Sequence, residues 1–391
     1  MMNNYAFNKN YYPVLKYYLY WMRKMNRTKI DMQTARKNDI IHTTDILKEI
    51  SDIVEQFSNE RILVLTDRNC MKHCLPITEQ AFQRPIDILS LPPGEKNKNI
   101  SNVIKIWNFL SENNYSKKSI MINIGGGMVT DIGGFAASTY KRGMTIVNVP
   151  TSLLAQVDAS VGGKNGINLK TVKNSIGTIN PPLKVIISPI FLKTLNKREF
   201  LSGFSEMIKH ALIRGQDTYD ELMRYILKPQ NDEETLQKLI RKSVEIKSRY
   251  VDSDIYEAGP RKILNFGHTF GHAFESLSND PKSRMRKMKH GEAVAFGMLC
   301  SLYLSLQKTG FPELVFRQLK KDILGIYGYI QVQENKFHQI FEFIKNDKKN
   351  KENRVLMVLL KAIGEPVYDI SVSELEIYEA LNFINSEEEK V

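Results

Sequence analysis

Short apolar runs that alternate with helical segments restrict the fold of this chain more than any other feature. Between about residues 40 and 195, runs such as RILVLT (61–66), SIMINI (119–124) and TIVNV (145–149) are predominantly apolar, as strands buried on both faces are. Segments with helical spacing separate them, for example around residues 47–57. Such alternation predicts a mainly parallel sheet with helices on both faces.

Three of the strands end in polar or glycine-rich loops. Asp67 follows the run at 61–66, PPGEKNK (92–98) follows IDILSL, and GGGMVTDIGG (125–134) follows SIMINI. Ligands of parallel sheets bind beyond the carboxyl ends of the strands. Consecutive glycines before a helix would let the main chain approach a phosphate. A tight strand-to-helix turn explains the glycines equally well, because the string matches neither common phosphate-binding fingerprint.

After about residue 195 the strand signal fades. FLSGFSEMIKHALIRG, EETLQKLIRKSVEIKSRYV and HGEAVAFGMLCSLYLSLQKTG have the spacing of helices. We therefore predict a Rossmann-like α/β domain over residues 36–196 and an all-helical domain over residues 197–391. Residues 1–35 would be a basic extension, either disordered or the product of an upstream start.

A formal charge of +12 is the one signal of nucleic-acid binding. Residues 1–40 hold eight Lys or Arg against two Asp, a net +6 that is half of the total. The rest is spread along the chain and includes lysines inside the motifs discussed below. Because a nucleic-acid interface needs concentrated basic charge, we predict no nucleic-acid partner and assign these lysines to an anionic small substrate.

Membrane and secretory signals are weak. The chain has no run of about twenty apolar residues, so we predict no membrane partner. YYPVLKYYLYWM, near the start, is too short to span a bilayer and lacks a small-residue cleavage site. Cys70, Cys74 and Cys300 make no disulfide framework, which favours a reducing compartment and a cytoplasmic location. We interpret CMKHC (70–74) as an exposed helix start, because a second cysteine pair is missing.

Three of the seven histidines fall within 23 residues. His268 and His272, in LNFGHTFGH, are four apart in a helical segment, so both rings leave the same face. From spacing alone, both bind one metal, one binds while the other does chemistry, or both are packed. One carboxylate and two imidazoles with an open position are typical of catalytic zinc. Glu206 in EMIKH would supply the carboxylate, so a metal site is favoured over packing.

Several lysines have unusual surroundings. Lys209 and His210 share a helix face with Glu206, at i+3 and i+4. Lys247 falls on the apolar stripe of its helix, where a lysine needs an anionic partner unless it reaches solvent at the stripe's edge. The glycine-rich stretch at 160–177 contains lysines that suit phosphate or carboxylate, although a solvated loop would look the same.

Together these motifs resemble the 3-dehydroquinate synthase family of sugar phosphate cyclases. The resemblance covers roughly residues 40–385. The motifs that carry it occur in the family's order: GGGMVTDIGGFAASTYKRG, VPTSLLAQVDASVGGKNGIN, KNSIG, SGFSEMIKHALI, LNFGHTFGHAFE and HGEAVAFGM. None of them is specific alone, whereas the ordered set is.

The resemblance implies conversion of 3-deoxy-D-arabino-heptulosonate 7-phosphate to 3-dehydroquinate. NAD oxidises a ring hydroxyl to a ketone, which acidifies the neighbouring C–H so that phosphate leaves by β-elimination. The same NADH returns the hydride, the ring opens, and an intramolecular aldol step closes the carbocycle. The implied cofactors are NAD, which is not consumed, and Zn²⁺, with Co²⁺ as the alternative. A homodimer is implied as well.

Residue roles are implied motif by motif. The metal ligands would be Glu206, His268 and His290, whereas His272 would be a proton-relay group or phosphate partner on the substrate side. The NAD site would draw on Asp67, Glu95, Lys98, Gly126, Gly127, Asp131, Thr151, Ser152, Lys164, Lys173, Phe191 and Thr194. The substrate would be met by Asp158, Lys164, Asn174, Lys209, Lys247, Arg261, Asn265, His272 and either Lys348 or Lys349. Arg142 would reach a neighbouring subunit's site.

The chain departs from the family at a few places, and two rival enzymes stay open. Ser152 stands where a second Thr is common, and a basic insertion (280–289) lengthens the gap between the metal-ligand histidines. One rival is a cyclase making valiolone or inosose products, against which Asn265 and His272 argue. The other is a metal-dependent polyol or alcohol dehydrogenase, which usually has Asp in place of Glu206 and lacks this lysine set.

Overall fold

The computed structural model describes residues 39–170, 172–227, 232–283, 285–346 and 355–385. The predicted extension over residues 1–35 and the lysines Lys348 and Lys349 lie outside the described residues. Among the helices of the described ranges, none combines the length and the apolar character needed to span a bilayer.

Six parallel strands form the central sheet of the first half. Their order across the sheet is β1 (Asp39–His42), β8 (Lys184–Ile187), β5 (Thr145–Pro150), β4 (Ile120–Gly125), β2 (Ile62–Asp67) and β3 (Asp87–Leu91). The chain runs outward from β2 to β3 and then crosses to the other side of β2 to form β4. The direction of winding therefore reverses between β2 and β4, and parallel sheets bind their ligands at such a point.

Burial on both faces explains the apolar strands. Every residue of β2 and β4 is buried. Leu63 and Leu65 pack on one face with helices α4 (Ile100–Glu112) and α5 (Gly127–Thr139), and Val64 packs on the other with α1 (Ile46–Gln56). Because side chains alternate in direction along a strand, two-sided burial requires a continuous apolar run. Two short helices, α2 (Arg68–His73) and α3 (Leu75–Thr78), follow β2.

Helices dominate the second half. They are α6 (Lys197–Arg214), α7 (Gln216–Leu227), α8 (Glu233–Ser253), α9 (His268–Asn279), α10 (His290–Thr309), α11 (Glu313–Tyr327), α12 (Phe337–Lys345) and α13 (Glu374–Asn385). α10 is buried along most of its length and packs against α6, α9, α11 and α13. Its central position explains why its sequence is apolar on every side.

The predicted fold class, a parallel sheet followed by a helical half, is confirmed. Three strand features were not predicted: β1, the hairpin of β6 (Lys164–Leu169) and β7 (Val172–Ile179), and the hairpin of β9 (Val355–Leu360) and β10 (Pro366–Val372). β6 and β7 escaped notice because glycine, asparagine and lysine interrupt their apolar pattern. The domain boundary at residues 196–197 stays a prediction.

One local prediction was wrong. The helix start at Cys70 exists as α2, but Cys70 and Cys74 are 9% and 5% exposed and not on the surface. Both side chains pack in the apolar cluster that contains Val64 and Ile122 of the sheet. Because α2 directly follows β2, the side of α2 that faces the sheet is buried. Cysteine is small and apolar enough to pack there.

Candidate active site

Glu206, His268 and His290 converge from three helices. Glu206 lies on α6, and the histidines are the first residues of α9 and α10. One ligand atom from each lies within 4.8 Å of the other two. Oε1 of Glu206 is 3.5 Å from Nε2 of His268 and 3.6 Å from Nε2 of His290. The three predicted metal ligands are therefore brought together.

Close packing of α9 against α10 brings the two histidines to one place. Gly267, just before α9, has φ +78°, and a Cβ there would meet the Met298 side chain at 2.5 Å. A Cβ on Gly297 of α10 would lie 2.1 Å from the carbonyl oxygen of Gly267. Glycine at both positions lets the helices approach far enough for their first residues to share a site.

The donor set fits a divalent metal ion. Glu206 is fully buried, and within the described part of the chain neither of its carboxylate oxygens accepts a hydrogen bond. Burying a carboxylate whose oxygens accept no hydrogen bonds is costly unless cations stabilise both of those oxygens. The buried ammonium of Lys209 pairs with Oε2, which leaves Oε1 facing the imidazoles. One carboxylate and two imidazoles match the ligand preferences of Zn²⁺ and Co²⁺.

The surroundings of Glu206 and His268 favour the protonation states that these two residues need as metal ligands. Burial would raise the pKa of Glu206, but Lys209 and the two histidines outweigh it and hold that pKa well below its usual value. Burial, aided by Lys209, lowers the pKa of His268 well below its usual range, so its imidazole is neutral. Metal binding requires an ionised carboxylate and a neutral imidazole.

Sequence analysis missed Glu275, which orients His290. Oε2 of Glu275 is 3.3 Å from Nδ1 of His290, on the ring edge opposite the metal site. The other oxygen, Oε1, accepts a hydrogen bond of 2.6 Å from Nζ of Lys173. A carboxylate behind a ligand histidine fixes its tautomer and raises its basicity. Burial opposes protonation of His290, but Glu206 and Glu275 together raise its pKa to about 10.

A signal for Glu275 was present in the sequence. Glu275 lies seven residues after His268 in HTFGHAFE, which places both on one face of α9. Lys173 was predicted to bind the cofactor, and the structure places it against this carboxylate.

His272 stands beside the cluster and not in it. Its ring centroid is 5.4 Å from that of His268 and 6.0 Å from that of His290. Among the described residues, the group able to hold a metal with His268 contains Glu206 and His290 and leaves His272 out. The two imidazoles of the i, i+4 pair therefore have different neighbours.

Lys247 is buried and has the anionic partner that its position on the apolar stripe predicted. Its Nζ lies 2.6 Å from Oδ1 of Asp158 and 2.5 Å from the Asp158 carbonyl oxygen. Asp158 lies in a single π-helical turn, Ala155–Ala159, that follows β5. Burial opposes ionisation of Asp158, but Lys247 and Lys209 hold its pKa below its usual value. A paired ammonium at the carboxyl end of the sheet is positioned to meet an anionic ligand.

Three more of the predicted substrate residues meet around a loop that follows α8. Glu257 of this loop, another residue that sequence analysis missed, accepts hydrogen bonds from the side chains of Lys164 and Asn265. Arg261 is buried and donates from Nη1 to the Ile255 carbonyl oxygen at 2.7 Å. The structure thus gathers a lysine, an arginine and an amide near one acidic side chain.

The predicted NAD residues line the point where strand order reverses. Asp67 ends β2, and its Oδ1 accepts from the main-chain N–H groups of Asn69 and Cys70. Gly126 precedes α5, and no side chain caps the first N–H groups of that helix. A Cβ on Gly127 would meet the Cβ of Ala159 at 3.2 Å. A bare helix end with glycines beside a strand-end carboxylate suits a dinucleotide's pyrophosphate and ribose.

The neighbouring loops complete this edge. Lys98, 3% exposed, donates a 2.6 Å hydrogen bond to Oδ2 of Asp131 on α5. Glu95 accepts from Nδ2 of Asn168 at 2.9 Å. Thr151 and Ser152 follow β5. The N–H of Thr151 donates a hydrogen bond to the carbonyl oxygen of Gly125. The Ser152 hydroxyl oxygen would lie 3.3 Å from a Cβ on Gly126.

Four predicted site residues are less well placed to contact a ligand in their own subunit. The Phe191 ring is 1% exposed in the apolar core, so only its main chain can meet a cofactor. Thr194 and Asn174 are exposed, and Asn174 has φ +48°. Arg142 lies between the end of α5 and the start of β5, at the amino edge of the sheet and opposite the site. A role for Arg142 therefore requires another subunit.

Most of the chain is similar to known 3-dehydroquinate synthases. The family model described as 3-dehydroquinate synthase N-terminal matches residues 88–202, and the C-terminal model matches 203–350. A 3-dehydroquinate synthase of Parabacteroides distasonis is 40% identical over 346 residues, which cover 88% of this chain and 97% of the relative. One of Pelagibacter ubique is 36% identical over 368 residues, covering 90% and 97%.

Solved structures share the fold at low identity. A 2-epi-5-epi-valiolone synthase from Streptomyces hygroscopicus, with NAD⁺ and Zn²⁺ bound, has a TM-score of 0.79 at 23% identity over 89% of this chain and 96% of its own. A 2-deoxy-scyllo-inosose synthase complexed with carbaglucose-6-phosphate, NAD⁺ and Co²⁺ has a TM-score of 0.76 at 22% identity over 88% and 96%.

Proposed function

The chain belongs to the 3-dehydroquinate synthase family, and from that premise we propose which residues carry out the reaction. Its activity is that of a 3-dehydroquinate synthase, a carbon–oxygen lyase that converts 3-deoxy-D-arabino-heptulosonate 7-phosphate to 3-dehydroquinate and phosphate with NAD and a divalent metal. The observation that carries the assignment of residues is the cluster of buried Glu206, buried His268 and partly buried His290 beside several buried cations.

Glu206, His268 and His290 would hold the metal. A bound divalent ion supplies Lewis-acid polarisation of the hydroxyl that is oxidised. The protein's contribution is to present an ionised carboxylate and two imidazoles from three packed helices, with His290 giving up its ring proton when a metal binds. Glu275 would hold the His290 ring in the orientation that directs Nε2 inward.

The edge of the sheet between β2 and β4 would hold NAD, which supplies a hydride acceptor that is regenerated within each turnover. The start of α5 would bind the pyrophosphate through its N–H groups. Asp67 and Glu95 would accept hydrogen bonds from ribose hydroxyls, because a carboxylate is a pure acceptor. The ion pair between Lys98 and Asp131 would hold the loop at residues 92–98 against α5.

The buried cations would bind the substrate's phosphate and carboxylate. Lys247 and Arg261 are both buried and adjoin the loop at Asp158, so their charge is weakly screened by water. Lys164 and Asn265 share Glu257 and would exchange this contact for substrate oxygens. Positive charge positioned before the reaction stabilises the negative charge that develops on departing phosphate.

His272 would handle protons on the substrate side. It lies one turn from His268, with the two ring centroids 5.4 Å apart, and outside the metal-binding group. An imidazole gains or loses a proton near neutral pH, as a relay for C–H removal or phosphate departure requires. Lys209, bound to Glu206, would contribute charge and not proton transfer.

We further propose a homodimer that acts in the cytoplasm. Arg142 supports the dimer, because its place at the amino edge of the sheet prevents it from serving its own subunit's site. Three free, buried cysteines support a reducing compartment.

Purified protein incubated with the heptulosonate phosphate, trace NAD and Zn²⁺ tests the function. We expect 3-dehydroquinate and phosphate to form in equal amounts, many times in excess of the NAD supplied. Other sugar phosphates, offered in parallel, should release little phosphate. Preferred turnover of one of these, to a valiolone- or inosose-type product, would overturn the substrate assignment.

A further inference from the structure

His210 is a buried imidazole at the floor of the site that the mechanism above does not use. It follows Lys209 on α6 and is 0% exposed. Its Nδ1 is 2.7 Å from the hydroxyl oxygen of Ser243 on α8. Within the described part of the chain, its Nε2 is buried and has no hydrogen-bond partner. A buried nitrogen with no partner is uncommon in a folded protein and calls for an explanation.

Two carboxylates lie beside the ring of His210. One ring nitrogen of His210, one carboxylate oxygen of Asp158 and one of Glu206 all lie within 4.8 Å of one another. Ser243 engages Nδ1, which leaves Nε2 as the nitrogen available to these carboxylates. Carboxylate oxygens only accept hydrogen bonds, so the favourable tautomer carries its proton on Nε2 and accepts the Ser243 hydroxyl at Nδ1.

We propose that His210 is a positioning residue, whose Nε2–H, through one bridging water, orients the carboxylates of Glu206 and Asp158 for the metal and the substrate. The proposal rests on the metal-binding role given above to Glu206. A bridging water spans such a gap with two ordinary hydrogen bonds. Through this contact, α8 and α6 together would fix which oxygen of Glu206 points at the histidines.

The same three residues have the spacing of a second metal site, but the charges around them argue against one. Asp158 already pairs with the ammonium of Lys247, and Glu206 with that of Lys209. A second dication between these carboxylates would lie against two buried ammonium groups, which repel it. A neutral donor suits a space bounded by two ion pairs better than a cation does.

Two matched substitutions separate positioning from packing. His210→Asn retains an amide near Nδ1 that can bond Ser243 but has nothing at the Nε2 position. His210→Gln places its amide nitrogen near the Nε2 position and gives up the Ser243 bond. Removing a group that orients a metal ligand typically weakens metal binding about 10- to 100-fold. We expect that loss for His210→Asn, and a change of less than about threefold for His210→Gln.

The measurement is a Co²⁺ titration of chelator-treated full-length protein, which gives the affinity and stoichiometry, and the visible spectrum of the bound ion. Thermal unfolding without metal is run in parallel. Wild-type protein and His210→Gln should bind one Co²⁺ per chain with the same spectrum, while His210→Asn binds more weakly with an altered spectrum. Equal affinities in all three proteins, or equal losses that follow lowered unfolding temperatures, would overturn the proposal.

Two other outcomes are separable. Two Co²⁺ ions per wild-type chain, falling to one in His210→Asn, would make His210 a ligand and not a positioning residue, which also overturns the proposal. No Co²⁺ binding by wild-type protein would instead refute the metal site on which the proposal rests.

Discussion

Replacing Glu275 tests whether the metal site extends beyond its three ligands. Glu275 is held between Nδ1 of His290, at 3.3 Å, and Nζ of Lys173, at 2.6 Å. Although burial opposes ionisation, His290 and Lys173 hold the pKa of Glu275 below its usual value, so it is a carboxylate at neutral pH. Glu275→Gln keeps the size and an acceptor for the imidazole N–H but removes the charge. Glu275→Ala removes both.

The expected magnitude follows from what each variant retains. Loss of a carboxylate behind a ligand histidine typically weakens metal binding about 10- to 100-fold, which corresponds to about 1.4 to 2.7 kcal/mol. Glutamine still fixes the His290 tautomer, so we place Glu275→Gln near the tenfold end. Alanine frees the ring, so we place Glu275→Ala near the hundredfold end. The exposed ammonium of Lys173 is solvated in both variants and adds little.

Competition against a chromophoric chelator measures the metal affinity of each variant. Glu292→Gln is the matched control, because Glu292 is also a buried acid near His290 but pairs with Arg198 at 2.6 Å. The control should lower the unfolding temperature and leave metal affinity unchanged. Wild-type affinity in a folded Glu275→Ala protein, or equal losses in Glu275→Ala and Glu292→Gln, would refute the role assigned to Glu275.

Three further predictions address other parts of the chain. His268→Ala should strip the metal, whereas His272→Ala should keep it and lose turnover, as metal analysis and phosphate release would show; the opposite pattern would reverse the assignment. Lys247→Met should lower kcat/KM about 10²- to 10³-fold without loss of metal. Because the substitution also leaves Asp158 without its ion pair, rates are compared below the variant's unfolding temperature. An unchanged kcat/KM would refute a substrate role for Lys247. Burial, with Arg241 second, lowers the pKa of His42 from 6.5 to about 4. As pH falls from 6.5 to about 4, His42 therefore gains a proton in the unfolded chain before it does in the folded protein. The partly exposed His42 should lower the free energy of unfolding by at most about 3 kcal/mol over this range. Denaturant titrations should show a weaker pH dependence for His42→Gln.

The sequence was sufficient for the parallel sheet and the order of helices because both follow from periodicity. β2 and β4 are buried on both faces, which forces an apolar run that cannot be mistaken for a half-exposed strand. The β6–β7 hairpin lacks that constraint, since most of β7 is exposed. Exposed strands carry little pattern, so the hairpin that holds Lys164 and Lys173 was not predicted.

Within the site, the sequence predicted which residues have a function better than it predicted which residues they contact. The stripe position of Lys247 predicted an anion nearby but could not identify Asp158, which lies 89 residues away in sequence. Glu275 and Glu257 act through contacts with Lys173, Lys164 and Asn265, which only the folded chain brings together. Spacing placed His268 and His272 on one face of α9, and only packing against α10 distinguishes their roles.

The balance between NADH and phosphate in a single turnover distinguishes a 3-dehydroquinate synthase from a dehydrogenase. Enzyme loaded with NAD and Zn²⁺ is mixed with the heptulosonate phosphate while NADH absorbance and free phosphate are followed together. We expect one phosphate released per substrate and an NADH signal that rises, if at all, only transiently and returns to its starting level. NADH that accumulates in step with substrate consumption, without phosphate release, would contradict this expectation and identify a dehydrogenase.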